Sequence, residues 1–176
     1  MSFSNPEKNI EQFALRLGSS VADFGSGSGH HSLSLAGAVG EKGKVYAVDV
    51  QKELLSKLKK EANNKGFFNV EIVWGDLEKI GGTKIADSSV DAVLISNLLF
   101  QVEKKENVAE ETKRILKKEG KLLVIDWQES FGGIGPHPDQ VYEKKSAKAL
   151  FESKRFIYDR EIVAGEHHYG LIFRKA

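Results

Sequence analysis

The chain has 176 residues with 40% hydrophobic content, enough for one ordinary globular core and too few for two comfortable domains, so one domain over residues 1–176 is expected. Lys plus Arg total 26 against 25 for Asp plus Glu, a net charge of +1 with both signs interspersed, which argues against a strongly basic nucleic-acid surface. Cysteine is absent, which excludes disulfides, thiolate metal sites and a cysteine nucleophile among these residues and fits a reducing compartment.

Residues 1–9 lack the charged-then-apolar pattern of a secretory signal, and no apolar run approaches membrane-spanning length. A soluble, cytoplasmic protein is expected. Asn5 and Pro6 supply a helix cap and a first helical residue, Ile10, Phe13, Ala14 and Leu17 follow at one-face spacing, and Gly18 is the expected stop. This opening helix should pack on the main body. Short runs rich in β-branched residues then predict strands at 20–24, 44–49, 70–74, 90–96 and 121–126.

Helical periodicity predicts helices between these strands at 29–39, at 52–65 with Leu54, Leu55, Leu58 and Ala62 inward, and at 102–118 with Val108, Thr112, Ile115 and Leu116 inward. The link 78–89 contains Gly81-Gly82 and reads as irregular. A further helix is expected at 139–153, with Tyr142, Ser146, Ala149 and Leu150 on one face. Two β-rich runs, 155–164 and 167–174, follow with only Gly165-Glu166 between them. That connection is too short for a crossover helix, so these strands must be antiparallel neighbours. The expected fold is α/β: a doubly wound, Rossmann-like seven-stranded sheet, mostly parallel, with an antiparallel C-terminal hairpin.

The segment with most chemical content is Val21-Ala22-Asp23-Phe24-Gly25-Ser26-Gly27-Ser28-Gly29, where a strand ends and a helix begins. Glycines there let the backbone approach a ligand, and the helix start offers free N–H donors to an anionic group. A nucleotide-type ligand at the carboxyl end of the first strand follows from the rule for open α/β sheets. The dinucleotide fingerprint would need its third glycine at position 30, which is His30, and its usual fold has no antiparallel end.

With an acidic residue ahead of Gly25-x-Gly27-x-Gly29, the loop resembles the first motif of class I S-adenosylmethionine-dependent methyltransferases. Val45-Tyr46-Ala47-Val48-Asp49 resembles that family's second strand, and Val73-Trp74-Gly75-Asp76-Leu77 its adenine-contacting segment. The stretches 89–93 and 114–122 resemble its fourth strand and the turn into its fifth, and the likeness covers nearly the whole chain. The resemblance implies S-adenosylmethionine as cofactor, with Asp49 gripping the ribose hydroxyls beside Val50, and Asp76 at the adenine amino group with Gly75 and the backbone of Leu77 nearby. It further implies that Asp23, Gly25, Ser26, Gly27, Gly29, His30, His31 and Asn97 surround the methionine end. The nearest group is the small-molecule one that includes ubiquinone and menaquinone biosynthesis enzymes.

A sulfonium already makes its methyl group electrophilic, so alignment supplies much of the acceleration, with effective molarities of about 10⁵–10⁸ M for well-oriented reactants. A base matters only for acceptors that must lose a proton. Ser96-Asn97-Leu98-Leu99-Phe100 lacks the paired prolines of many amino-group methyltransferases, and Gln101 stands where small-molecule relatives often carry His. The catalytic candidates are then His137, in Gly135-Pro136-His137-Pro138, and Asp126, ending the fifth strand. His167 and His168 would point to opposite faces of a strand, so no intrinsic metal is expected. The lysine-rich helices read as solvated faces with i,i+4 pairs such as Glu110 with Arg114.

A small-molecule acceptor is thus expected and nucleic acid is not. The pocket would be completed by the first helix and the loop 132–139, or by a partner subunit in a homo-oligomer. Two rival readings are a catalytically silent cofactor-binding regulatory subunit and an RNA or protein methyltransferase.

Overall fold

The computed structural model describes residues 4–176; Met1, Ser2 and Phe3, the first of the residues read for a secretory signal, lie outside the described residues. In chain order the elements are α1 (Pro6–Phe13), β1 (Ser20–Phe24), α2 (His30–Val39), β2 (Lys44–Asp49), α3 (Lys52–Asn64), β3 (Val70–Trp74), β4 (Val90–Ser96), α4 (Lys105–Ile115), β5 (Leu116–Trp127), α5 (Lys144–Ser153), β6 (Phe156–Ile162) and β7 (His168–Lys175). A 3₁₀ turn at Pro138–Gln140 precedes α5.

All seven strands form one sheet in the order β3-β2-β1-β4-β5-β7-β6. The first five run parallel, and β7 inserts antiparallel between β5 and β6. This is the seven-stranded Rossmann-like sheet expected, hairpin included. Strands β1 and β4 are neighbours although sequence order reverses there, which opens a crevice at their carboxyl ends.

Both faces of the sheet are covered, which is why its central strands are apolar nearly throughout. On one face Val21, Val45, Ala47, Ala92, Leu94, Ile125 and Ile172 pack with α1, α2 and α3 residues. On the other, Ala22, Phe24, Val93, Ile95, Val124 and Phe173 pack with α4 and α5. Phe151 of α5 lies with its ring centroid 5.7 Å from Phe156 and 5.5 Å from Phe173, a cluster whose truncation at Phe151 would cost about 3–5 kcal/mol.

Several expected boundaries are corrected. Helix α1 ends at Phe13, because Ala14 takes the left-handed conformation (φ 53°) and its N–H closes on Glu11; Gly18 is not the stop, and Leu17 is 81% exposed. Helix α4 begins at Lys105 and ends at Ile115, since Leu116 is already extended and pairs with Val90. Strand β5 is therefore longer than expected, with a bulge that uses the left-handed Glu119. Helix α5 starts at Lys144, and its buried residues are Ala147 and Phe151, while Ser146 and Ala149 face solvent. Arg114 bonds Glu111 and Asp87, and Glu110 instead meets Lys154 at 3.1 Å.

The irregular link between β3 and β4 is held by one buried carboxylate. Glu111 accepts from the N–H of Gly81 (2.7 Å), the N–H and hydroxyl of Thr83 (3.2 and 2.5 Å), and two nitrogens of Arg114 (2.9 and 2.7 Å). Burial works against its charge, but the bonds from Arg114, Thr83 and Gly81 outweigh it and hold the carboxyl down at about 2.

Candidate functional site

The glycine loop sits at the carboxyl end of β1, in the crevice. Gly25 and Ser26 donate their N–H groups to the carbonyl of Val48 at 2.9 and 3.0 Å, so the loop continues the β1–β2 ladder. Gly27 donates to Asp49 Oδ2 at 2.9 Å, and Gln51 donates to Asp49 Oδ1 at 2.9 Å. The carboxylate ending β2 thus ties the loop to the start of α3 and keeps lone pairs for further donors.

Gly27 and Gly29 share positive φ (52° and 86°) but differ in surroundings. A Cβ on Gly29 would lie 2.2 Å from Leu58 Cδ1, so this glycine permits helix–helix packing. A Cβ on Gly27 would meet nothing nearer than the Gly25 carbonyl at 3.9 Å, so that position opens onto unfilled space. Gly29 is the N-cap of α2, and no side chain caps that first turn, leaving its N–H groups for a ligand.

Asp23 is buried and accepts a 2.6 Å bond from Ser32. Burial raises its carboxyl to about 6; the Ser32 bond opposes the rise and the charge of Asp49 adds to it. Asp76 lies just beyond β3, where it accepts from the Glu78 N–H (3.0 Å) and pairs with Lys79 (3.2 Å); the Glu78 bond and then Lys79 lower its carboxyl. Beside it Leu77 is buried, Gly75 donates its N–H to the Asp49 carbonyl at 3.1 Å, and Val50 is 58% exposed. The Trp74 indole donates to the Val50 carbonyl at 3.1 Å.

Asn97, just past β4, adopts the left-handed conformation (φ 52°) and leaves its buried Oδ1 without a partner. The hydroxyls of Ser26 and Ser96 are also buried and unpartnered. Polar atoms in this state are rare enough to require an explanation, and a bound ligand is one.

The two catalytic candidates lie apart in character. Asp126 is fully buried and accepts the N–H groups of Leu99 and Trp127, each at 2.8 Å, with Phe100 and Leu98 also contributing. Burial raises it to about 6 against those bonds, and its geometry is that of a clamp on the segment after β4. His137 is exposed at the N-cap of the 3₁₀ turn, with Nδ1 2.9 Å from Asp139.

Among the other histidines, His30 is exposed beside α1, whereas His31 turns inward, with Nε2 3.4 Å from the Asn9 amide. Burial, then the charges of His30 and His168, lower His31 to about 4. His167 precedes β7 and meets Glu129 at 2.7 Å; His168 is buried against Trp127. Among the described residues no group of three His, Asp or Glu is arranged to hold a metal.

A glycine cradle at the end of β1, a carboxylate at the end of β2 and an antiparallel β7 between β5 and β6 define a nucleotide-binding α/β domain of the methyltransferase type. The family model described as "Methyltransferase domain" matches residues 16–172, and the chain belongs to that family.

The chain is similar to the ubiquinone/menaquinone biosynthesis C-methyltransferase UbiE of Francisella tularensis subsp. novicida, 31% identical over 157 residues that cover 88% of this chain and 60% of that protein. It is also similar to an arsenite methyltransferase of Halobacterium salinarum, 31% identical over 73% of this chain and 31% of that protein. The chain therefore spans about 60% or less of the length of these relatives. Among solved structures, a SAM-dependent methyltransferase from Aquifex aeolicus superposes with a TM-score of 0.89 at 30% identity, covering 99% of this chain and 91% of that one. No described helix is long and apolar enough to cross a membrane.

Proposed function

We propose that this chain binds S-adenosylmethionine at the carboxyl ends of β1, β2 and β3 and catalyses transfer of its methyl group to a small organic acceptor. The observation that carries this reading is the open space at Gly27, bordered by the Asp49 carboxylate. The unpartnered Ser26 hydroxyl and Asn97 amide oxygen, both buried, are further groups that a polar ligand would satisfy. These residues fit the cofactor that the family's resemblance implies.

Asp49 would hold the ribose hydroxyls through charge-assisted hydrogen bonds, and Asp76 with Leu77 the adenine. The glycine loop, with Asp23 beneath it, would take the amino-acid end, where a carboxylate matches the ammonium and sulfonium charges. The cofactor when bound supplies an electrophilic methyl group. The protein's own part is alignment and exclusion of water: Asp126 fixes the 97–100 segment from behind, and the Gly135 backbone covers Trp127 from within the same chain. That cover supports a pocket completed by the chain itself. Since no residue here is a cysteine, the chain offers no thiolate to hold a soft arsenic centre, which favours an organic acceptor. The same lack matches a reducing, cytoplasmic setting.

Calorimetry with S-adenosylhomocysteine and with NAD tests the cofactor, and radiolabelled S-adenosylmethionine with fractionated lysate tests the acceptor. Binding of the former alone, and label in a small molecule, is expected. Binding of NAD, or label only in RNA or protein, would overturn the corresponding half of the reading.

A further inference from the structure

The register of the sheet brings together, next to Asp23 of the cofactor site, side chains to which that site assigns no part. Asp23, Ser96, Trp127 and His168 stand on the adjacent strands β1, β4, β5 and β7, on the face shared with α1 and α2. The placement follows from alternation: Ser96 is in phase with Ala92 and Leu94, Trp127 with Leu123 and Ile125, and His168 with Ile172, all members of that face's core. Trp127 and His168 are direct register partners, and their rings lie 4.2 Å apart.

Within this row Asp23 is satisfied by Ser32, but three polar atoms are not. Both ring nitrogens of His168 are buried without a hydrogen-bond partner, and so is the Ser96 hydroxyl. His168 is only 6% exposed. An imidazole left in this state costs free energy that the fold recovers only if something bonds to it. Burial, and then the charge of His167, lower its proton affinity to about 4, so at neutral pH the ring is uncharged and keeps a lone pair.

A glycine-rich loop lies over the Trp127 end of the row. Phe131 stacks on His167 at 3.9 Å between centroids, His167 meets Glu129, and Gly135 lies so close to Trp127 that a Cβ there would come within 2.8 Å of the indole. Beyond its anchors, Gly132 and Gly133 take positive φ and have open space around them. The loop therefore lies across the indole, with few side chains holding it there.

We propose that His168, Trp127 and Ser96 form the methyl-acceptor subsite, with a His168 ring nitrogen accepting a hydrogen bond from an uncharged hydroxyl or amine on a planar, largely apolar body that replaces Gly135 against Trp127. This rests on the methyltransferase reading for its name, though not for its geometry. The subsite adjoins the cofactor cradle through Asp23 and Ser96, so the hydrogen-bonded atom of the acceptor is held beside the methionine end. His168 acts here by orienting the nucleophile's lone pair. The new bond to the methyl carbon forms as the sulfonium–methyl bond breaks, the donor leaves as the neutral thioether S-adenosylhomocysteine, and the acceptor's proton, held at the His168 nitrogen, is passed on to solvent water.

The test uses the full chain with two probes that share a planar body, 4-methylphenol, whose hydroxyl stays protonated at neutral pH, and its methyl ether 4-methylanisole. Wild-type protein saturated with S-adenosylhomocysteine is expected to bind the phenol about tenfold more tightly than the ether, a ratio set by one hydrogen bond to a buried group. His168→Phe, which keeps the stack on Trp127, is expected to erase that ratio, and His168→Gln to restore part of it. Side-chain nitrogen NMR of the wild type is expected to show the His168 resonances moving with the phenol and not with the ether. Equal preference in wild type and His168→Phe, no phenol binding by the wild type, or shifts confined to other histidines would overturn the subsite. Cofactor affinity is read separately by calorimetry: its absence in the wild type would reject the methyltransferase reading, and the phenol-to-ether ratio in unloaded protein would then decide His168.

Discussion

Asp49 Oδ2 lies 2.9 Å from the backbone nitrogen of Gly27, joining the end of β2 to the centre of the glycine loop. The carboxylate therefore shapes the cradle besides offering lone pairs to it. Asp49→Ala is expected to weaken S-adenosylhomocysteine binding by about 1.5–3 kcal/mol, the scale of hydrogen bonds to a charged group. Calorimetry measures this, and affinity unchanged within error would remove Asp49 from the site.

Two neighbouring glycines should respond differently to the same change. Gly29→Ala drives a methyl into Leu58 and should lower stability by about 1–3 kcal/mol through overpacking, on top of about 1–2 kcal/mol of left-handed strain. Gly27→Ala has room for its methyl and bears only the left-handed strain of about 1–2 kcal/mol, but it fills the space assigned to the cofactor. Denaturant unfolding and cofactor titration on the pair should separate the two roles; equal cofactor affinity in Gly27→Ala and wild type would argue that the space is not the cradle.

Asp126→Asn keeps the shape of the side chain but replaces one acceptor oxygen by a donor facing backbone N–H groups. A loss of about 1–3 kcal/mol is expected. Amide exchange should speed up at residues 98–100 in particular, because their N–H groups lose their acceptor. Exchange unchanged there would show that the clamp is dispensable.

Glu111 sets a dependence on acid. Its carboxyl lies at about 2 when folded against an ordinary 4.5, so the folded chain holds fewer protons than the unfolded one between those values. Its contribution is complete above about pH 4.5 and is lost as pH falls toward 2. Glu111→Gln should therefore be less stable than wild type at neutral pH, with the gap closing over that acid range. A gap independent of pH would mean that the charge is not what holds the 78–89 link.

The strands were readable because runs such as Val45–Asp49 and Val90–Ser96 concentrate β-branched residues, and the antiparallel end was readable because Gly165-Glu166 leaves no room for a crossover. The end of α1 was not, because Ala14 adopts a left-handed conformation for which its sequence offers no glycine signal. Nor was the early start of β5, which depends on Leu116 finding Val90 across the sheet. In the site, Asp23, Asp49 and Asp76 stand out as acidic residues at successive strand ends. His168 does not, since its significance comes from the Trp127 register and from lacking a partner, both tertiary facts. The Glu111 cluster is equally hidden: spacing on α4 pointed Arg114 at Glu110, and only the returning 81–83 backbone explains its turn toward Glu111.

The insertion of β7 between β5 and β6 also bears on how the molecule is made. Ribosomal synthesis delivers β5 well before the strand that covers it, so a nascent chain carries the edge of Leu122-Leu123-Val124-Ile125 bare, a template for pairing with another emerging copy. Helix α1 waits as well, because Gln12 exchanges hydrogen bonds with Val163 and accepts one from Arg160. A chain that stops between β5 and β7 should therefore aggregate through that bare edge.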